Sequence, residues 1–211
     1  NIMKRFQYVQ AVDNGSFDLC EGEIHSLIGE NGAGKSTMMK MLYGLYACDS
    51  GTIKIRGKEV PKNYSTFDAI DMEIGMVHQE FMLAKELTVL ENIIVGSEPK
   101  KKRFLIDRDE AAKRIRYYIE NYRMNVQLDK RVASISVGEA QRVEIIKALY
   151  RGANILILDE PTAVLTPQES EKLFEILETM KKDGKSIVFI SHKLKEVMQI
   201  SDRITVMRGG K

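Results

Sequence analysis

A strand-like apolar run, Ile24 to Ile28, breaks at once into GENGAGKST, Gly29 to Thr37, and resumes as a segment patterned like a helix, Met38 to Leu45. No other stretch constrains the fold as tightly. Strand, glycine-rich turn and helix in that order, with Gly29, Gly34, Lys35 and Ser36 at the motif's spacing, make a phosphate-binding loop. Gly29 and Gly34 let the backbone turn inward with no side chain in the way. Successive N–H groups through Asn31, Gly32 and Ala33 to Lys35, Ser36 and Thr37, with the N-terminus of the helix that follows, then face an anion. Lys35 is expected to reach the β- and γ-phosphates, and the Ser36 hydroxyl to ligate Mg²⁺. The bland alternative is a glycine-rich surface turn, and the strand-turn-helix context argues against it.

Lys and Arg total 32 against 30 Asp and Glu, a net charge of +2, so nothing marks a broad electrostatic footprint for nucleic acid. Only Cys20 and Cys48 are present, the first in strand-like sequence where a small buried thiol is expected, and a reducing, cytosolic setting fits. No apolar run approaches the ~20 residues that cross a bilayer, and no signal-like segment opens the sequence, so any membrane role is expected to be peripheral. With Asn1 at one end and an Arg-Gly-Gly turn before Lys211 at the other, the sequence reads as a fragment of a longer chain.

From Met3 to Ile55 short strand-like runs alternate with turns at Asp13-Asn14-Gly15, Glu21-Gly22 and Asp49-Ser50-Gly51, which predicts an antiparallel β layer at one edge. Another strand-like run, Ile74 to His78, leads into Gln79. From Leu83 to about Arg151 helix formers and charges take over. Thr88 with Glu91, Asp107 with Glu110, and Ser136 with Glu139 have the cap-x-x-Glu spacing that opens helices. The runs Ile155 to Leu158 and Ile187 to Ile190 suit strands buried on both faces of a parallel sheet. Between them a helix is expected from Thr166, with Pro167 first, Leu173, Ile176, Leu177 and Met180 on its apolar face, and Asp183-Gly184 at its end. The run Lys100 to Arg103 reads as a solvated loop. The fold expected is α/β: a mostly parallel sheet flanked by helices over residues 1–82 and 152–211, with an antiparallel β layer and a helical subdomain inserted over 83–151.

ILILDEPT, Ile155 to Thr162, puts two acids at the C-terminal end of a buried strand, where ligands sit in open α/β sheets. Asp159 would hold Mg²⁺, and Glu160 would orient or deprotonate an attacking water. Two adjacent carboxylates repel and lose hydration there, so a purely structural role needs local cations or caps. His192, in FISHKLKEV, follows the next apolar run and would contact the γ-phosphate at the same sheet edge, although a lone histidine after a strand is more often a neighbour of a helix cap. Gln79 would ligate the metal and the water through its amide oxygen. His25 and His78 read as ordinary strand histidines.

The segment ISVGEAQRVEIIKAL, Ile135 to Leu149, resembles the signature of the ATP-binding-cassette (ABC) superfamily. Around it the loop at Gly29–Thr37, Gln79, the acidic pair and His192 stand in that family's order and approximate spacing, over nearly the whole chain. The resemblance implies a P-loop NTPase core, ATP and Mg²⁺ as bound groups, and ATP hydrolysis. It places Phe6 where an aromatic ring stacks on adenine, with Tyr8 as a competitor and a core role for Phe6 as the alternative. It also implies that two cassettes close head to tail, with Ser136, Gly138 and Glu139 of one aimed at the γ-phosphate held by the other. Two residues depart from the family's usual pattern. Glu139 replaces a Gln and is expected to close a capping box with Ser136, the alternative being that it repels the incoming phosphate, and Thr166 replaces an Asp and puts a contact between cassettes in question.

The segments IGMVHQEFMLAKELTVLENIIVG and SVGEAQRVEIIKALYRGANILILDEPTAVLTPQE look most like the first cassette of tandem importers for simple sugars or nucleosides, the nucleoside type more than the ribose type. That resemblance implies docking of Gln79 to Gly96 under membrane permease subunits fed by a solute-binding protein, at the cytoplasmic face of the membrane. The alternatives are a soluble cassette ATPase acting on ribosomes or DNA, for which Glu139 speaks, and a regulatory module without turnover, against which Glu160 and His192 speak.

Overall fold

A computed structural model describes residues 1–101 and 105–211. Strands β1 (Ile2–Phe6) and β2 (Val9–Gly15) form an antiparallel pair, β3 (Ile24–Ile28) leads to helix α1 (Lys35–Leu42), and β4 (Lys54–Ile55) pairs with β5 (Lys58–Glu59). Helix α2 (Thr66–Asp71) and β6 (Ile74–Val77) precede a block containing α3 (Val89–Ile94), the short pair β7 (Lys100–Lys101) and β8 (Leu105–Ile106), α4 (Arg108–Asn121) and α5 (Val137–Tyr150). The chain then returns through β9 (Ile155–Asp159), α6 (Pro167–Lys182), β10 (Ser186–Ile190), α7 (Leu194–Ile200) and β11 (Arg203–Val206).

The central sheet has five parallel strands in the order β11-β3-β10-β9-β6. Side chains alternate across it, as period-two geometry requires. Leu156, Leu158, Ile187 and Phe189 pack into one core with α3 to α6, and Ile157, Val188 and Ile190 pack into the other with Met38, Met39 and Met41 of α1 and Val12 of β2. Burial on both faces explains why these strands read as unbroken apolar runs.

Thr88, Asp107 and Ser136 each accept the N–H three residues on (3.2, 3.1 and 3.2 Å), and Glu91 and Glu139 return the bond, so the cap spacing marks the starts of α3, α4 and α5. Thr166 caps α6 in the same way, with Pro167 first and Leu173, Ile176, Leu177 and Met180 buried.

Four local expectations are overturned. The chain does not turn at Asp13-Asn14-Gly15. It continues as β2, carrying an extra residue between the Ile2–Gly15 and Lys4–Val12 pairs, and Asn14 at φ 58° accommodates the bulge. Helix α1 starts and stops earlier than Met38 to Leu45, because Gly34 turns the loop straight into it and Gly44, at φ 75°, ends it. The run read as a solvated loop is not all loop. Lys100 and Lys101 sit in an exposed strand pair that satisfies their backbone while their side chains stay in water, and Lys102 and Arg103 lie outside the described residues. Cys20 is exposed in the loop before β3, with its N–H on Glu23 (2.6 Å) and its sulfur accepting from Arg203 (3.2 Å).

Candidate active site

The loop after β3 is shaped by what stands behind it. A Cβ at Gly29 would lie 2.2 Å from the Met207 carbonyl oxygen, and one at Gly34, whose φ is 99°, would lie 2.2 Å from the Ala11 carbonyl oxygen. The Gly210 N–H donates to the Ala33 carbonyl (3.1 Å), and the Asp13 N–H to the Gly210 carbonyl (2.8 Å), so β2 and the turn after β11 brace the loop. Asn31 and Gly32 are exposed at its rim. Lys35, 5% exposed, donates to the carbonyls of Gly29 (2.8 Å) and Glu30 (2.9 Å), and no carboxylate among the described residues pairs with it. A buried ammonium with only neutral partners, at the start of a helix, is a seat for an anion.

The Ser36 hydroxyl donates to Asp159 Oδ1 at 2.9 Å. Asp159 is 3% exposed, and burial pushes its carboxyl above the usual aspartate range; the adjacent Glu160 adds to the rise, while the Ser36 bond and the charge of Lys40 oppose it. A hydroxyl and a carboxylate beside an anion seat suit Mg²⁺, which takes one or two carboxylates and completes its shell with water and substrate phosphates. No cluster of three or more His, Cys, Asp or Glu that could hold a metal occurs among the described residues.

Glu160 leaves the end of β9 with φ 49°, an uncommon conformation for a residue with a side chain, and its N–H is held by the Ile190 carbonyl at 3.0 Å. Its carboxylate meets two groups. Gln79 Nε2 donates to Oε2 at 3.3 Å, and His192 Nδ1 lies 3.2 Å from Oε1. Neighbouring strands β6, β9 and β10 thus deliver Gln79, Glu160 and His192 to one edge of the sheet, beside the Ser36–Asp159 contact. Gln79 makes this contact through its amide nitrogen.

The other expected site residues lie apart from this cluster. Phe6 is 39% exposed, edge-on to Tyr46 at 5.2 Å, with Lys4 Nζ 5.3 Å from its ring centre, whereas Tyr8 stands almost wholly in solvent. Ser136, Gly138 and Glu139 open α5. The Glu139 carboxylate is turned back onto the Ser136 N–H (2.9 Å), closing the capping box. A Cβ at Gly138 would come within 2.5 Å of Glu169 Oε1, so a side chain there would push the Glu169 carboxylate aside. His25 bridges the Asp18 carbonyl and Thr205 (both 2.8 Å), and burial lowers the pKa of both His25 and His78. Ala11, Tyr46, Met207 and Gly210 complete the surroundings of the site; no local pattern marks them, because each acts through tertiary contact.

Comparison with known proteins gives this constellation a context. The sequence profile of the ABC transporter family matches residues 12–163. The chain is 52% identical over 211 residues to a guanosine import ATP-binding protein, NupO, of Bacillus subtilis, and 49% identical over 211 residues to a nucleoside import ATP-binding protein, NupA, of Lactococcus lactis subsp. cremoris. All of this chain is covered in both comparisons, but it spans only 41% of either relative's length. Among solved structures it superposes on the dimeric structure of a bacterial ABC transporter cassette with a TM-score of 0.83 at 26% identity, covering 100% of this chain and 93% of the other.

Proposed function

We propose, for a chain that belongs to the ABC transporter family, that it binds and hydrolyses Mg·ATP and, by closing against a second cassette, drives import of a nucleoside-like solute through membrane permease subunits. The observation that carries this reading is the convergence of Gln79, Glu160 and His192 beside the Ser36–Asp159 pair and the Lys35 seat. In it, the Lys35 ammonium leaves the Gly29 and Glu30 carbonyls for the β- and γ-phosphates, exchanging neutral partners for charged ones. Ser36 and Asp159 hold Mg²⁺, with Gln79 joining through its amide oxygen, and the ion neutralises phosphate charge when bound. Glu160 Oε2 takes the proton of the attacking water, and His192 orients the Glu160 carboxylate and the γ-phosphate. Phe6 offers its exposed face to adenine.

The tip of α5 would complete the partner's site. Ser136 and the first-turn N–H groups, at the positive end of the helix, suit a charge that exists only while ATP is intact, so closure and hydrolysis are linked. On this reading the block over 83–151 moves as a subdomain, and Gln79 to Gly96 docks on the permease at the cytoplasmic face of the membrane. No described helix is long and apolar enough to cross a membrane. The nucleoside branch rests on the two import proteins above, and a solute-binding protein would feed the permease.

The test is Glu160→Gln in the full-length protein with its permease. It is expected to hold ATP in a closed, inactive pair, while Lys35→Ala abolishes tight nucleotide binding. Turnover at the wild-type rate in Glu160→Gln would refute the assignment. Uptake measured across nucleosides and monosaccharides decides the solute class.

A further inference from the structure

In α2, α3, α5 and α6 the acid at the third helical position turns back onto its own cap: Asp68 on Ser65, Glu91 on Thr88, Glu139 on Ser136 and Glu169 on Thr166. In α7 the acid at that position is Glu196, and the cap residue is Lys193, whose side chain accepts nothing. Glu196 faces inward instead, with its side chain 15% exposed. Its Oε2 accepts from Thr162 Oγ1 (2.5 Å) and Ser191 Oγ (3.4 Å), and its Oε1 lies 3.1 Å from Lys193 Nζ. Lys193 Nζ also donates to the Thr162 carbonyl (3.0 Å), and the Lys193 N–H to Ser191 Oγ (3.0 Å).

These contacts have a particular placement. Ser191 and Lys193 flank His192, and Thr162 lies two residues beyond Glu160 on the neighbouring strand's loop. Thr162 and Ser191 are buried, whereas the His192 side chain is 47% exposed. A half-exposed imidazole–carboxylate contact is too weak to hold its own geometry. A largely buried, charge-assisted network linking the two loops is strong enough to do so.

We propose that Glu196 is a positioning residue that ties the His192 loop to the Glu160 loop through Thr162, Ser191 and Lys193, and so keeps imidazole and carboxylate in contact. This rests on the hydrolytic reading above. It is tested in the full-length protein assembled with its permease by two measurements: kcat and KM for Mg·ATP, and the rate of His192 modification by diethylpyrocarbonate, mapped by peptide mass spectrometry. Glu196→Ala should lower kcat about tenfold with KM within about twofold, since positioning acts on the chemical step. His192 modification should rise with it. Glu196→Gln still accepts from Thr162 and Ser191 and should recover kcat to within about threefold of wild type. Thr162→Val cuts the same tie from the other loop, should show the same split, and should add little to Glu196→Ala in the double variant.

Wild-type kcat and unchanged His192 reactivity in Glu196→Ala would overturn the inference, as would a Gln variant no better than Ala. If Glu196→Ala does not fold, Thr162→Val with wild-type kcat and reactivity overturns it equally. Lys35→Ala separates the two claims: retained nucleotide binding there sinks the hydrolytic reading, whereas loss there without any effect at Glu196 sinks only the positioning role.

Discussion

Replacing Asp159 by Asn should stabilise the metal-free protein while removing its response to Mg·ATP. Asp159 is 3% exposed at the end of β9, its hydroxyl partner is Ser36 at 2.9 Å, and burial raises its pKa despite that bond and the charge of Lys40. A carboxyl whose folded pKa is raised contributes stability that is complete below its ordinary value of 3.8 and is lost as pH rises through the folded value. At neutral pH the wild type therefore holds a charge where burial disfavours it. Asn keeps an acceptor for Ser36 and does not titrate. The cost of an incompletely compensated buried polar group puts the gain at about 1–2 kcal/mol, or about 2–8 °C in a domain of this size. Equilibrium urea unfolding in a chelator at neutral pH, repeated in acid below the ordinary aspartate range, measures it as a midpoint shift at constant slope. The gain should vanish in acid. Mg·ATP should raise the wild-type midpoint by ligand linkage and leave that of the variant nearly unmoved. An Asn variant less stable than wild type at neutral pH without metal, or a gain that persists in acid, would refute the reasoning.

Phe6 and Glu169 give two further expected outcomes. Phe6→Ala should weaken ATP binding by about 1–2 kcal/mol, as a lost stacking contact does, and leave inorganic tripolyphosphate binding unchanged; equal titration curves for ATP would exclude Phe6 from the adenine seat. Glu169, held below the usual glutamate range first by the Thr166 N–H and then by its hydroxyl, contributes stability present above 4.5 and lost as pH falls through its depressed value. Glu169→Gln should then cost about 0.3–1 kcal/mol at neutral pH and nothing in strong acid, which unfolding curves at the two pH values would test.

The parts of the fold governed by local chemistry were legible in the sequence. Caps such as Thr88 and Ser136 bond within a single turn, and the strands of Leu156 to Leu158 and Ile187 to Ile190 are apolar because both faces are covered, so neighbours in sequence carry the information. Asp159, Glu160 and His192 were placed by the same logic, since strand ends in a parallel sheet point to one edge. What escaped was decided at a distance. Asp13-Asn14-Gly15 has turn composition, but pairing with β1 keeps it a strand. Gln79 meets Glu160 because β6 lies beside β9, a neighbour relation that no spacing encodes. Cys20 lies in an exposed loop whose contacts with Arg203 come from β11, distant in sequence but beside β3 in the sheet.

Behind the glycine loop, Met207 stands against Gly29 and Ala11 against Gly34, while Gly210 bonds the Ala33 carbonyl and is itself held by the Asp13 N–H. The motifs end at His192, yet the backbone that holds the anion seat in shape leans on a buttress that follows it in the chain. A shortened version that kept every motif but lost the turn after β11 would retain the vocabulary of the site without its scaffolding. The unit that keeps the anion seat in shape therefore extends to that turn, and changes at Met207 or Gly210 should behave as injuries to the loop itself.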